Sequence, residues 1–213
     1  MLTLFIDSSR KDLLLAVFKG TSVIKELSLG TNGRHSEFIM TELETMIKDL
    51  DITLDQFDRV ITTKGPGSFT GVRIGVTIAK TLCYAKKIPL YSISTLKVLS
   101  YTGYEHRVVI MDAKKGRVFA TIVSNDQVVL EDSYIEFDEL INKMSKLEGR
   151  VSITCDDIYF NNENLLEFGD VFAQKVVLEE MINDQLVEED VISFAPDYLK
   201  LTDAEIQYNE RNK

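Results

Sequence analysis

The stretch Leu2–Glu26, LTLFIDSSRKDLLLAVFKGTSVIKE, decides the fold, because it returns 105 residues later at Arg107–Glu131 as RVVIMDAKKGRVFATIVSNDQVVLE. The two copies superpose without a gap, and Asp7 falls on Asp112. Each reads as an apolar strand ending in aspartate, a polar turn, a second apolar strand, another turn at Gly20 or Asn125, and a short third strand. The spacing predicts a β-meander, made twice.

Outward from the first copy lie two helical stretches, with the strand DRVITTK between them and PLYSIS after them. Strands alternating with helices predict a mixed sheet with crossover connections. The expected organisation is a first lobe over 1–103 and a smaller second lobe over 104–213, where VSITCDDIYF, AQKVVLEEMIND and LTDAEIQYNE suggest a reduced version of the same plan. A strand that ends in Asp and opens a hairpin, repeated in two lobes, resembles the actin, sugar-kinase and Hsp70 ATPases. That likeness implies a two-lobed α/β fold. A phosphate cradle needs glycines where backbone N–H groups approach the ligand. The turns here are DSSRKD, with no glycine, and DAKKGR, with one. Asp7 and Asp112 therefore mark either a degenerate nucleotide cleft or two capped hairpin turns.

Residues 65–75, GPGSFTGVRIG, stand apart. Gly65, Pro66 and Gly67 break the chain after a strand, Ser68 or Thr70 can cap the helix that follows, and Phe69 lies in the same motif loop. Arg73 adds positive charge near that helix start, but no GK follows at P-loop spacing. Gly71, Gly75 and Ala79 recur every four residues, so they line one face with Val72 beside them. Interior glycines cost about 0.5–1 kcal/mol each relative to alanine, and a close backbone approach offsets this. The approach is either to the chain's own sheet or to a helix of another protein. In HSEFIMTELETMIKDL, Ser36 is the expected cap, and Ile39, Met40, Leu43, Met46, Ile47 and Leu50 form a stripe that Phe38 widens. A stripe that wide predicts partial exposure, and with the glycine face it predicts a helix-pair surface for a partner.

Composition narrows the function classes. Formal net charge is −10, divided as +2 over residues 1–106 and −12 over 107–213. An acidic half without a basic cluster argues against tight RNA binding by this chain alone. Cys83 and Cys155 are expected as buried reduced thiols. No apolar run approaches the roughly 20 residues a membrane span needs, and MLTLFIDSSR carries no basic leader, so a cytoplasmic protein is expected. The two histidines, His35 and His106, are 71 residues apart and form no HxxxH, and there is no CxxC and no GxSxG. The expected inventory is no metal site, no cofactor of its own and no catalytic residue, with His35 read as a surface residue or part of a cap.

These residues together resemble the TsaB (YeaZ) family. The likeness is carried by GPGSFTGVRIG, by IDSS near the start, HSE opening the first long helix, IPLYSISTL, MDAKKGRVF in the second copy and PDYLK near the end. It implies an actin-like fold without its own ATP chemistry. It further implies a subunit that pairs through its N-terminal helices with a TsaD-type catalytic subunit, which would hold the metal. A TsaE-type ATPase would join, tRNA would be met only through the complex, and the same surface could form a homodimer. The implied task is transfer of threonylcarbamoyl to the adenosine beside the anticodon. Two departures stand out: Ser8 where the family often has threonine, and Lys115 and Arg117 where it has an apolar and an acidic residue. The alternatives are a stand-alone actin-like ATPase or peptidase-like enzyme, or a homodimeric binding module.

Overall fold

A computed structural model describes residues 1–100, 105–149, 151–155, 177, 179–181, 183 and 185–200. The chain divides into two compact units, one of 1–101 with 170–196 and the other of 102–169 with 197–213. The second lobe expected over 104–213 is therefore not continuous, because the stretch 170–196 groups with the first unit.

In the first unit the meander is β1 (Leu2–Asp7), β2 (Asp12–Lys19) and β3 (Ser22–Gly30), all antiparallel neighbours. Helix α1 (His35–Asp49) follows, then β4 (Arg59–Thr63), helix α2 (Phe69–Lys86), β5 (Leu90–Ile93) and the short α3 (Thr95–Leu99). Both β4 and β5 join the sheet parallel to β1, as crossover helices require. Alternation along β1 gives the sheet two apolar faces. Leu4 and Ile6 meet Ile39, Leu43 and Met46 of α1 and Val72, Val76 and Ala79 of α2. Phe5, with Ala16, Phe18 and Ile61, packs on the opposite face against Val98 of α3 and Val177.

The second unit holds β6 (His106–Asp112), β7 (Arg117–Ser124), β8 (Gln127–Glu136), helix α4 (Phe137–Met144) and β9 (Val151–Cys155), in the order β8-β7-β6-β9 with β9 parallel to β6. The duplicated α/β plan of the actin-like class is thus present in both units. Of the other segments expected here, all of LTDAEIQYNE, the end of VSITCDDIYF and most of AQKVVLEEMIND lie outside the described residues.

The copies differ in one respect that a gapless alignment hides. Asp7 pairs with Leu14, whereas Asp112 pairs with Val118, the counterpart of Leu13. The hairpins are one residue out of step. The cause is the second turn, where Lys114, Lys115 and Gly116 all take positive φ (67°, 57° and 74°), a run that the first turn lacks. Because side chains alternate, the slip makes β6 turn Val108 and Ile110 toward its helix-packed core, while in β1 the even positions Leu4 and Ile6 do so.

The strand β10 (Val187–Glu189) pairs antiparallel with β5, and the chain then turns through Asp190, whose Oδ1 accepts from the Ser193 amide at 2.7 Å. Phe194 enters the α2 side of the core, and the Lys80 ammonium donates to the carbonyls of Ile192 and Phe194 at 3.0 and 2.5 Å. This returning segment is why 170–196 belongs to the first unit. Replacing Phe194 with alanine removes a ring that is 7% exposed and should cost about 3–5 kcal/mol. Urea unfolding followed by circular dichroism would measure it, and a loss below about 1 kcal/mol would mean the strap is not part of the core.

Candidate functional site

The carboxyl ends of β1, β4 and β5 meet the start of α2, where open α/β sheets commonly place their sites. Asp7 ends β1 fully buried. Its Oδ1 accepts from the Ser9 amide (2.9 Å), the Ser9 hydroxyl (2.6 Å) and the Thr63 hydroxyl (2.9 Å). Its Oδ2 has no hydrogen-bond donor among the described residues and faces the Arg10 guanidinium, whose Nε lies 3.5 Å away. The carboxylate is thus neutralised by an arginine three residues on in its own turn, as a buried charge requires.

The turn also holds both helices. Ser8 Oγ donates to the Gly71 carbonyl at 2.8 Å, and the Ser68 amide donates to the Ser9 carbonyl at 2.8 Å. Of the two candidate caps, Ser68 is the one that caps α2, its Oγ accepting from the Gly71 amide at 3.2 Å. Ser36 does not cap α1. It is the helix's second residue, exposed, and the cap position is Arg34, which makes no side-chain cap bond. The reason is His35, which is 1% exposed and drawn inward, with Nε2 2.8 Å from the Arg10 carbonyl and Nδ1 2.8 Å from Thr31 Oγ1. His35 is therefore neither a surface residue nor a cap.

The glycine face requires a second correction. Gly71, Val72, Gly75 and Ala79 are buried against the chain's own sheet and are not open to another protein. A Cβ on Gly71 would collide with the Ser8 carbonyl and one on Gly67 with the Ser9 carbonyl, while at Gly75 it would lie 2.5 Å from Ser8 Oγ. The close approach that offsets the glycines is α2 on the end of β1, so Gly75→Leu breaks the fold and not a docking contact. Ile39, Leu43 and Met46 are likewise core residues at 1–2% exposure. Facing outward from the same helices are Ser36, Met40 (49% exposed), Phe69 (43%), Thr70 and Arg73, with Phe38, Ile47, Ile74 and Ile78 half-buried. The Arg73 guanidinium stacks 4.0 Å over the Phe69 ring.

Much of the polar chemistry of the Asp7 turn is spent within the chain. The Ser9 amide and hydroxyl bond to Asp7, the Ser8 hydroxyl and the Ser9 carbonyl bond to the start of α2, and Arg10 supplies the countercharge for the carboxylate. Asp112 in the second unit is partly exposed; its Oδ1 accepts from the Lys114 amide at 2.8 Å and its Oδ2 pairs with Lys114 Nζ at 2.9 Å. Gly65 and Pro66 are buried at the end of β4, joined by a cis peptide bond, and the Gly65 carbonyl accepts from the Thr95 amide at 2.9 Å. Among the described residues no three His, Cys, Asp or Glu side chains could share a metal ion, and no helix is long and apolar enough to cross a membrane. Arg10, Thr63 and His35 were not singled out from the sequence as parts of this network. The i, i+3 spacing of Asp7 and Arg10 was the available signal for one; nothing local marked the other two.

Two predictions follow from this packing. In a double-mutant cycle Gly75→Ala alone should destabilise the chain, but on a Ser8→Ala background it should become neutral or stabilising, because the next atoms stand at 3.6 and 3.7 Å. A coupling of about 1–2 kcal/mol is expected, and strict additivity would show that Ser8 Oγ is not the obstacle. Burial pushes the Cys83 thiol up to about 12, so native alkylation at pH 8 should run about a thousandfold below that of an exposed cysteine. A raised thiol pKa supports the fold fully below the unfolded value near 9.0 and is lost as pH climbs toward 12; rapid labelling of folded chain would contradict the burial.

Comparison with known proteins agrees with this architecture. The family model described as TsaD, tRNA N6-adenosine threonylcarbamoyltransferase, matches residues 30–154. A tRNA threonylcarbamoyladenosine biosynthesis protein TsaB from Bacillus subtilis is 27% identical across all of both chains. One of the same name from Buchnera aphidicola subsp. Schizaphis graminum is 31% identical over 78% of this chain and 83% of its own. The solved structure of YeaZ from Pseudomonas aeruginosa shares the fold, with a TM-score of 0.69 at 15% identity over 92% of this chain and all of that one. With a duplicated α/β plan, the GPGSFTGVRIG turn-to-helix junction and these relatives, this chain belongs to the TsaB (YeaZ) family of tRNA threonylcarbamoyladenosine biosynthesis proteins.

Proposed function

We propose that this chain is a non-catalytic subunit in the transfer of threonylcarbamoyl to the adenosine beside the tRNA anticodon, and that it works by docking onto a TsaD-type catalytic partner. The observation that carries the reading is the outward side of α1 and α2. There Met40 on α1 and Phe69 on α2 stand about half exposed, with Ile47 on the same flank of α1 as Met40 and the Arg73 guanidinium over the Phe69 ring. Large apolar side chains left exposed near the starts of two helices, one of them under an arginine, fit a protein interface better than a solvated face. The Asp7 turn supports the same reading, because its hydrogen bonds are consumed in holding helices and not in presenting donors to a ligand. ATP and metal would then belong to partner subunits, the TsaE-type ATPase among them, with tRNA approached through the assembly. A homodimer would compete for the same outward surface.

The interface is thereby reassigned from the buried glycine stripe to Ser36, Met40, Phe69, Arg73 and their half-buried neighbours. In light scattering and calorimetry with a purified TsaD-type protein, Met40→Asp and Phe69→Asp should each weaken association by about tenfold or more while leaving the melting temperature within about 2 °C. Threonylcarbamoyl transfer to tRNA by the reconstituted proteins should fall in parallel. Transfer at full rate with this chain omitted would overturn the proposal, and so would turnover by this chain alone.

A further inference from the structure

We propose that His35 is a positioning residue for partner docking: it ties the first turn of α1 to the Asp7–Asp12 turn, which also holds the first turn of α2, so that the two helix starts present one fixed surface. The inference rests on the docking reading above and adds the element that sets the geometry of that surface.

Four observations carry it. The imidazole is buried at the first position of a helix whose cap residue makes no side-chain bond, so the helix start is held by His35 and not by a cap. A carbonyl offers no proton, so Nε2 carries the hydrogen and donates to Arg10 O, while Nδ1 meets a Thr31 hydroxyl that also stands 3.1 Å from the Lys11 carbonyl. One ring thereby joins the end of β3, the turn and α1. The same turn reaches α2 through Ser8 Oγ on the Gly71 carbonyl and the Ser9 carbonyl on the Ser68 amide. Finally, the outward residues Ser36, Met40, Phe69 and Arg73 all sit in the first two turns of their helices, nearest these anchors. Slack at the start of α1 would displace Met40 relative to Phe69, and docking of a preformed surface is weakened when its side chains must be ordered during binding.

The test uses the full chain and the purified TsaD-type protein as the probe, with affinity measured at a temperature where circular dichroism shows each variant folded. His35→Leu removes both ring bonds and should weaken binding about tenfold or more, whereas His35→Gln, which can still donate to the Arg10 carbonyl, should recover most of it. Leu140→Ala, a fully buried residue of the second unit, serves as the control for stability lost elsewhere and should leave affinity unchanged. Should His35→Leu fail to fold, the volume-matched Thr31→Val severs the Nδ1 contact and should weaken binding several-fold while speeding amide exchange in the first turn of α1. A folded His35→Leu or Thr31→Val chain that binds as tightly as the parent overturns the inference and leaves the docking proposal standing. Failure of the parent chain to bind the partner overturns the docking proposal, and this inference falls with it.

Discussion

The structure depends on one close approach, that of helix α2 to the carboxyl end of β1. Gly67, Gly71 and Gly75 let the helix start sit against the Ser8 and Ser9 backbone at a distance that no side chain could occupy. Once there, the Ser8 hydroxyl and the Ser9 carbonyl bond to the start of α2, and Asp7 organises the turn from within by accepting three hydrogen bonds on one oxygen. The interior glycines lower helix propensity by about 0.5–1 kcal/mol each, and the packing they permit against Ile6, Thr62 and Ser8 offsets it. Within the first unit α1 is tied to this turn through His35, and the returning strap is tied to α2 through Lys80 and Phe194.

The same arrangement fixes what the polar groups of the Asp7 turn do within the chain. The strand ends in a buried aspartate and the helix begins with glycines and a capping serine, and the amides of Ser9, Ser68 and Gly71 bond within the junction. Arg10 supplies a fixed positive charge beside Asp7, so the carboxylate is balanced within the chain. A turn whose donors are spent internally can act as a brace.

Much of this was written in the sequence. The repeat of LTLFIDSSRKDLLLAVFKGTSVIKE predicted two meanders, the strand–GPG–helix junction predicted the crossover and a hydroxyl cap at Ser68 or Thr70, and the TsaB resemblance was carried by the same segments. The burial of His35 and its bond to Arg10 O were not legible, because they join residues 25 positions apart through a tertiary contact. The direction of the glycine stripe was not legible either. A helix with small residues every four positions looks the same whether the close neighbour is its own sheet or a foreign helix.

By itself, then, the sequence determined local matters: which segments alternate with period two, which repeat at 3.6, where glycine and proline must break the chain, and that the first 25-residue plan recurs. Tertiary structure alone decided which face of α2 turns inward, that 170–196 returns to the first unit, and that the second hairpin slips by one residue against the first. The physical reason is the range of the interactions. Periodicity and turn dihedrals are set by neighbouring residues, whereas facing and register are chosen by whichever distant surface buries the most apolar area while pairing every polar group it covers.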